Sequence, residues 1–168
     1  AGFFWVKMNS MRILGIDPGV GRLGWAVLNH TKGESSFVDC GCFETTPKSD
    51  LAERLEKIYL FLQELIEKYK TDEMAVESLF FSTNAKTAFD VGAARGVILL
   101  CGKQAHLPIC QYTPLQVKSS LTGFGKAEKS QVQFMVTKIL HLKEIPKPDD
   151  AADALAIALT HTFHKKTN

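Results

Sequence analysis

Short apolar runs and longer helical patterns alternate along the chain, and their order predicts the elements of the fold. Three apolar runs near the beginning of the chain have the length of strands, and the connections between them are short and contain glycine. Short glycine-containing connections are typical of an antiparallel meander. The three predicted strands cover residues 12–17, 23–28 and 37–43.

Residues 51–69 have apolar positions that recur every three or four residues, which predicts an amphipathic helix with Asp50 as its N-terminal cap. The short apolar run 74–77 follows this helix, so we expect a strand that joins the sheet in parallel. The remaining pattern predicts a helix over 84–104, a strand over 108–112, and helices over 114–121, 128–140 and 150–163.

This order of three strands, helix, strand, helix, strand and helices is not that of a doubly wound sheet. It predicts an α/β fold with a mixed five-stranded sheet, three antiparallel strands and then two parallel ones, flanked by helices. The order resembles that of the ribonuclease H-like fold, a likeness that does not fix function. We expect residues 1–10 to be an added leader and residues 11–168 to form a single domain.

The glycine pattern Gly19-Val-Gly21-Arg-Leu-Gly24 matches a dinucleotide-binding fingerprint. That fingerprint requires a helix to begin within the pattern, because the helix N-terminus holds the pyrophosphate. The residues that follow Gly24 instead predict a strand. The pattern therefore indicates a tight hairpin beside Asp17, whose backbone can approach a phosphate or a metal ion closely.

Carboxylates stand at three places that this fold brings together. Asp17 and Glu77 end two strands that we expect to be neighbours, and Asp150 and Asp153 share one face of the last helix. Asp149 suits the N-cap of that helix, with Asp150 as its first residue. Each acid alone is explained equally well by a helix cap or a salt bridge, but together they predict one acidic site.

Four converging carboxylates remain ionised only beside cations, and oxygen ligands favour Mg²⁺ or Mn²⁺ over zinc. Two such ions about 3.5–4 Å apart can hold a phosphate that is being cleaved. The net charge is only +2, but residues 112–148 contain six lysines and two acids. A basic surface around an acidic pocket suits a polyanionic substrate, although a solvated lysine-rich face explains the lysines as well.

These segments resemble the RuvC family of Holliday junction resolvases over about residues 12–163. The resemblance rests on the ordered matches Ile13-Leu14-Gly15-Ile16-Asp17-Pro18-Gly19, Ala75-Val76-Glu77, Ala93-Ala94-Arg95-Gly96-Val97, Gln116-Val117-Lys118, Ala127-Glu128-Lys129-Ser130-Gln131-Val132-Gln133 and Asp150-Ala151-Ala152-Asp153-Ala154-Leu155-Ala156.

The resemblance implies a Mg²⁺-dependent homodimeric endonuclease that nicks two opposed strands of a four-way DNA junction. It assigns catalysis and metal binding to Asp17, Glu77, Asp150 and Asp153. Lys118 and Lys129 match basic residues near the scissile phosphate, and Phe80 matches an aromatic that packs against junction bases. It also implies a RuvA–RuvB branch-migration complex as partner. Independently of the resemblance, the four cysteines lack the spacing of zinc ligands, which fits a reducing cytoplasm.

Three other functions are compatible with parts of the chain. A YqgF-type nuclease acting on RNA shares the opening strand and its glycine loop, but does not predict Glu128-Lys129-Ser130-Gln131. An actin-like ATPase half-domain needs a second domain, and a non-catalytic junction-binding module does not need four acids. For the small residues Ala88, Gly92 and Gly96, packing on the sheet and packing in a dimer remain equally open.

Overall fold

The computed structural model describes residues 10–78 and 84–165. Within them the elements follow the predicted order. The strands are β1 (Met11–Asp17), β2 (Arg22–Thr31), β3 (Glu34–Glu44), β4 (Glu73–Glu77) and β5 (Ile109–Tyr112). The helices are α1 (Leu51–Tyr69), α2 (Ala85–Gln104), α3 (Pro114–Thr122), α4 (Lys129–Ile139) and α5 (Asp149–His164). None of the described helices is long and apolar enough to cross a membrane.

The five strands form one sheet in the order β3-β2-β1-β4-β5. Strands β1, β2 and β3 pair antiparallel, whereas β4 pairs parallel with β1 and β5 pairs parallel with β4. This is the predicted mixed sheet, and the prediction is confirmed. The strand after Gly24 is also confirmed, so the dinucleotide-binding interpretation of the glycine pattern is excluded because no helix begins there.

Helices cover both faces of the sheet and bury one apolar cluster on each side. Helices α1 and α2 pack over one face, around residues such as Leu14, Ile58 and Ile98. Helices α3, α4 and α5 pack over the other face, around residues such as Ile13 and Leu155. Asp50 caps α1 as predicted, because its side chain accepts a hydrogen bond from the Glu53 N–H at 2.8 Å.

Two glycines let α5 lie directly on the sheet. A Cβ at Gly24 would collide with the backbone carbonyl of Asp150, and a Cβ at Gly15 would collide with that of Ala154. Gly24 is also the cross-strand partner of Asp17. The absence of these two side chains therefore brings the first turns of α5 next to the end of β1, where Asp17 lies.

The predicted start of α5 is wrong by one residue. The helix begins at Asp149, and the N-cap position belongs to Pro148, which has an extended backbone and no side-chain cap hydrogen bond. Asp149 instead lies in the first turn, where a negative charge is stabilised by the helix dipole. Its side chain is 3.3 Å from Lys129 Nζ, so an ion pair takes the place of the predicted cap.

Candidate active site

Asp17 and Glu77 lie side by side at the same edge of the sheet. They follow Ile16 and Val76, which are partners in the parallel register of β1 and β4. Parallel neighbours present their carboxyl ends at one edge, so the two side chains meet and share a hydrogen bond. The structure thus places these two acids next to each other, as the strand order predicts.

Burial and mutual repulsion make it hard to ionise both acids. Burial is the largest cause that raises the pKa of Asp17 to about 8, and the carboxylates of Glu77, Asp153 and Asp150 raise it further. Burial also raises the pKa of Glu77, against which the charges of Lys118 and Lys129 act. Ionising both acids at once is therefore unfavourable unless positive charge is brought close to them.

Asp153 completes the acidic wall of a cleft of about 280 Å³ between the sheet edge, α3, α4 and α5. Its pKa is raised by burial, while Lys129, with Nζ 3.2 Å from its carboxylate, counteracts that shift. The cleft is lined by Asp17, Glu77, Pro114, Val117, Lys118, Lys129, Val132, Asp153, Ala156 and Ile157. Three acids and two lysines thus face one another across an otherwise largely apolar wall.

Asp150 stands at the edge of this group. Its carboxylate accepts a hydrogen bond from Arg22 Nε at 2.9 Å, and Arg22 also pairs with Glu44 at 2.9 Å. The cleft lining does not include Asp150, although its charge contributes to the raised pKa of Asp17. Sequence reasoning missed Arg22. Its place inside the glycine pattern, next to a predicted acidic site, was the available signal.

Lys118 of α3 and Lys129 of α4 both line the cleft, together with Asp17, Glu77 and Asp153. Lys129 bridges Asp149 and Asp153 at 3.3 and 3.2 Å. Phe80, the third residue assigned to DNA, lies outside the described residues.

Across residues 10–78 and 84–165, no three His, Cys, Asp or Glu side chains are arranged around a common point as metal ligands would be. Each acid of the cleft is engaged with a partner within the protein. Asp17 and Glu77 bond to each other, Asp150 to Arg22, and Asp153 to Lys129. These contacts compensate the acidic charge, and a bound cation would have to replace them.

A second charged cluster lies at the opposite end of β4, and sequence reasoning did not identify it. Glu73 Oε2 is 2.6 Å from His161 Nε2, and its other oxygen pairs with Lys165. His161 Nδ1 is in turn 2.7 Å from the Tyr112 hydroxyl. This buried network connects the C-terminal end of α5 to both β4 and β5.

Comparison with known proteins gives consistent matches. The model of a family described as crossover junction endodeoxyribonuclease RuvC matches residues 13–161. Curated proteins of that name are 52% identical over 151 residues in Fusobacterium nucleatum, covering 90% of this chain and 80% of the relative, and 52% identical in Halothermothrix orenii, covering 90% and 92%.

Two solved structures are similar to this one. The Thermus thermophilus RuvC in complex with a Holliday junction substrate has a TM-score of 0.87 and 38% identity, and the match covers 92% of this chain and 94% of that one. The yeast mitochondrial Holliday junction resolvase has a TM-score of 0.69 at 14% identity, with 91% and 78% covered, which shows a shared fold. The predicted ribonuclease H-like architecture is therefore confirmed.

Proposed function

The chain belongs to the RuvC family of crossover junction endodeoxyribonucleases, and from this premise we propose how its cleft works. The protein is a Holliday junction resolvase of homologous recombination and DNA repair. The cleft of each protomer hydrolyses one phosphodiester bond, so that two protomers together cut two opposed strands of a four-way junction. The observation that carries this proposal is the meeting of Asp17, Glu77 and Asp153 with Lys118 and Lys129 in one cleft.

The carboxylates suit hard divalent cations. All their donor atoms are oxygens, and burial makes the negative charge of Asp17 and Glu77 costly without a cation. We propose that Asp17, Glu77, Asp150 and Asp153 hold two Mg²⁺ ions, with Mn²⁺ as a substitute. The chemistry that such ions supply at carboxylates is neutralisation of phosphate charge and activation of water.

The lysines have a separate role. Lys118 and Lys129 attract the DNA backbone to the cleft and hold one phosphate opposite the acids. Lys129 would lose its ion pair with Asp153 if that carboxylate held a cation, and would then be free to contact a phosphate oxygen. The two lysines therefore compensate the acidic charge before metal ions and DNA bind, and position the DNA afterwards.

A dimer accounts for two coordinated nicks, because each nick needs its own active site. On α2 the apolar side chain of Phe89 is 79% exposed, and Leu100 is exposed on the same stripe. Between them, Gly92 and Gly96 are exposed, and no atom lies within 4 Å of a Cβ built on either. Packing of these two glycines on the sheet, one of the two sequence-based interpretations, is therefore wrong. We propose that this stripe is the dimer interface.

Gly92→Leu tests the interface without disturbing the fold, since the added side chain meets open space. We expect sedimentation to show a weaker dimer and melting to change little. Ala94→Leu serves as the matched change on the buried face of α2 and should lower the melting temperature. A wild-type protein that sediments as a monomer at micromolar concentration would refute the dimer.

Three further assignments rest on family membership or composition and not on a described contact. We propose that Phe80 packs against junction bases, that a RuvA–RuvB branch-migration complex is a partner, and that the protein works in the cytoplasm. The four cysteines, Cys40, Cys42, Cys101 and Cys110, are free thiols, which is compatible with a reducing compartment.

The activity is tested by incubating the protein with synthetic four-way DNA, matched duplex DNA and RNA, with and without Mg²⁺. We expect paired nicks in the four-way DNA only when Mg²⁺ is present. Cleavage of the RNA while the four-way DNA stays uncut would support the YqgF-type alternative, which the family match does not favour. Junction binding with no cleavage in either Mg²⁺ or Mn²⁺ would indicate that the protein is a non-catalytic junction-binding module.

A further inference from the structure

A shallow groove of about 350 Å³ lies between the end of α3 and one face of α4, beside the acidic cleft. It is lined by Thr122, Ser130, Gln131, Phe134 and Met135. Lys129 and Val132 of the same helix face the cleft instead. A DNA strand held at Lys118 and Lys129 thus passes next to the groove, because α3 and α4 contribute side chains to both.

The groove presents an aromatic face to solvent. Phe134 is 59% exposed, and Lys138 Nζ lies 5.4 Å from the centre of its ring. A phenyl ring that is more than half exposed leaves apolar surface in water, and this surface is suited to stacking on another ring. Every nucleobase has such a face, and stacking on aromatic side chains is how unpaired bases are held without sequence specificity.

A second exposed aromatic stands in the turn that joins α3 to α4. Phe124 is 58% exposed, yet its backbone is fixed. Its N–H donates to the Thr122 hydroxyl at 3.1 Å, and its carbonyl accepts from the Ala127 N–H at 3.0 Å. Its exposure is therefore built into an ordered turn, and the same Thr122 lines the groove.

Polar groups and charge favour a nucleotide over an apolar peptide. Ser130 supplies a hydroxyl, and the side-chain oxygen of Gln131 already accepts the Glu128 N–H at 2.8 Å, so Gln131 offers its amide nitrogen as donor. Between residues 118 and 138 there are four lysines, at 118, 126, 129 and 138, and Glu128 is the single acid. Phosphates are attracted to this surface, whereas basic protein segments are repelled and purely hydrophobic segments leave the lysines unpaired.

We propose that the groove between α3 and α4 binds one unpaired nucleotide of the junction, close along the strand to the cleaved phosphate, with its base stacked on Phe134. Phe124 borders this nucleotide and keeps neighbouring bases from closing over it. The proposal rests on the proposed function, because base pairs at the exchange point of an open four-way junction lack a stacking neighbour on one side, so a base there is unpaired more easily than one in continuous duplex. The groove thereby helps to select junctions and to position the cut.

The test combines Phe134→Ala with junctions that lack one base. A set of four-way junctions carries a single abasic nucleotide at successive positions on both sides of the cut, and affinity is measured by fluorescence anisotropy without divalent ions. For the wild-type protein we expect one position where removing the base weakens binding by about 5- to 100-fold. Phe134→Ala should cause a similar loss on the intact junction and no further loss at that position.

Two controls separate stacking from other effects. Phe163→Ala removes the same ring from a site that is 52% exposed near the C-terminal end of α5, and should leave junction affinity unchanged. Phe134→Trp keeps a stacking surface and should retain wild-type affinity. The dependence of affinity on salt should be the same in wild type and Phe134→Ala, because no phosphate contact is removed.

The outcomes distinguish this proposal from the activity itself. The wild-type protein could bind and cut junctions while Phe134→Ala weakens binding no less at any abasic position than on the intact junction. In that case the groove does not hold a nucleotide, and the resolvase activity stands. A loss of affinity in Phe134→Ala that is equal at every position counts against the proposal in the same way. If the wild-type protein neither binds nor cuts junctions, both conclusions fall.

Discussion

Strand β4 carries a glutamate at each end, and the two glutamates stand in opposite surroundings. Burial alone favours a raised pKa at Glu73, but the hydrogen bonds and charges of Lys165 and His161 outweigh it and lower that pKa. At Glu77 burial and the nearby acid Asp153 raise the pKa, and the hydrogen bond with Asp17 and the charges of Lys118 and Lys129 only partly offset them. The two glutamates lie 4 positions apart in a single strand. Nearby cations compensate the charge of Glu73, whereas the charge of Glu77 is not fully compensated.

This difference separates a charge that is compensated within the fold from one that is not fully compensated. A buried carboxylate with its partners in place holds elements together, as Glu73 does between β4 and α5. A group of carboxylates with too few neighbouring cations lowers the stability of the folded protein until a positively charged ligand binds. Such groups cluster at active sites. The two ends of β4 should therefore respond in opposite ways to the same substitution.

The largest expected effect is on catalysis at Glu77. Glu77→Gln removes a charged oxygen while keeping the shape of the side chain, and cleavage of four-way DNA should fall by at least about 10²- to 10³-fold. Junction affinity without divalent ions should be retained, because it depends on lysines and shape. Glu73→Gln is the matched control and should cut at close to the wild-type rate in single-turnover assays. Equal loss in both variants would end the distinction between the two glutamates.

The next effect is a gain in stability at Asp17. Its raised pKa means that the folded protein binds a proton more tightly than the unfolded chain, so stability falls as pH rises from about 4 to about 8. Asp17→Asn removes this cost, because its amide can still donate to Glu77. We expect a gain on the order of 3 kcal/mol at pH 8 in metal-free protein, or about 2–4 °C in melting temperature per kcal/mol.

The pH dependence checks this expectation. The advantage of Asp17→Asn over wild type should be small at pH 4 and should grow as pH rises toward 8. Adding Mg²⁺ should reduce it, since the cation then stabilises the wild-type carboxylates. A variant that is less stable than wild type at pH 8 would show that Asp17 is compensated in some other way.

The opposite sign is expected at Glu73. Glu73→Gln leaves Lys165 and the buried His161 without their charged partner, which should cost about 1.5–3 kcal/mol in the free energy of unfolding. Because the pKa of Glu73 is lowered, its contribution is present above the unfolded value of 4.5 and disappears as pH falls below it. Urea unfolding at pH 7 and pH 3.5 measures the difference between variant and wild type, which should shrink at the lower pH.

The smallest effect is expected at Asp149, the exposed neighbour of the acidic group. Asp149→Asn loses an ion pair with Lys129 in which both side chains are at least half exposed, and such pairs contribute little. Cleavage in saturating Mg²⁺ should stay within about twofold of wild type. Asp150→Asn, in contrast, should abolish cleavage if Asp150 is a metal ligand. An inactive Asp149→Asn beside an active Asp150→Asn would exchange the roles of the two residues.

Much of the fold follows from local pattern. The predicted helix over residues 51–69 coincides with α1, and the other predicted elements differ from the observed ones by a few residues at their ends. Period and capping depend on residues near in sequence, so they can be found without the tertiary structure. The meeting of Asp17 and Glu77 was predictable for the same reason, because parallel neighbours end at one edge of a sheet.

The start of α5 was not predictable from pattern alone. Asp149 has the chemistry of an N-cap, but Lys129, 20 residues earlier in the chain, offers it an ion pair, and the helix begins at Asp149 itself. The partners of Asp150 and Glu73 were hidden for the same reason: Arg22 is 128 residues from Asp150, and His161 is 88 residues from Glu73.

The sequence by itself determined which elements form, their order, and which acids and lysines are candidates for the active site, because these are encoded in local periodicity and in residue types with few alternative uses. The tertiary structure decided which cation faces which acid, that Gly92 and Gly96 face solvent, and that a groove opens between α3 and α4. Those features depend on the side-chain directions of elements far apart in the chain. Ion pairing and exposure are properties of the packed molecule, where a position's neighbours come from other segments.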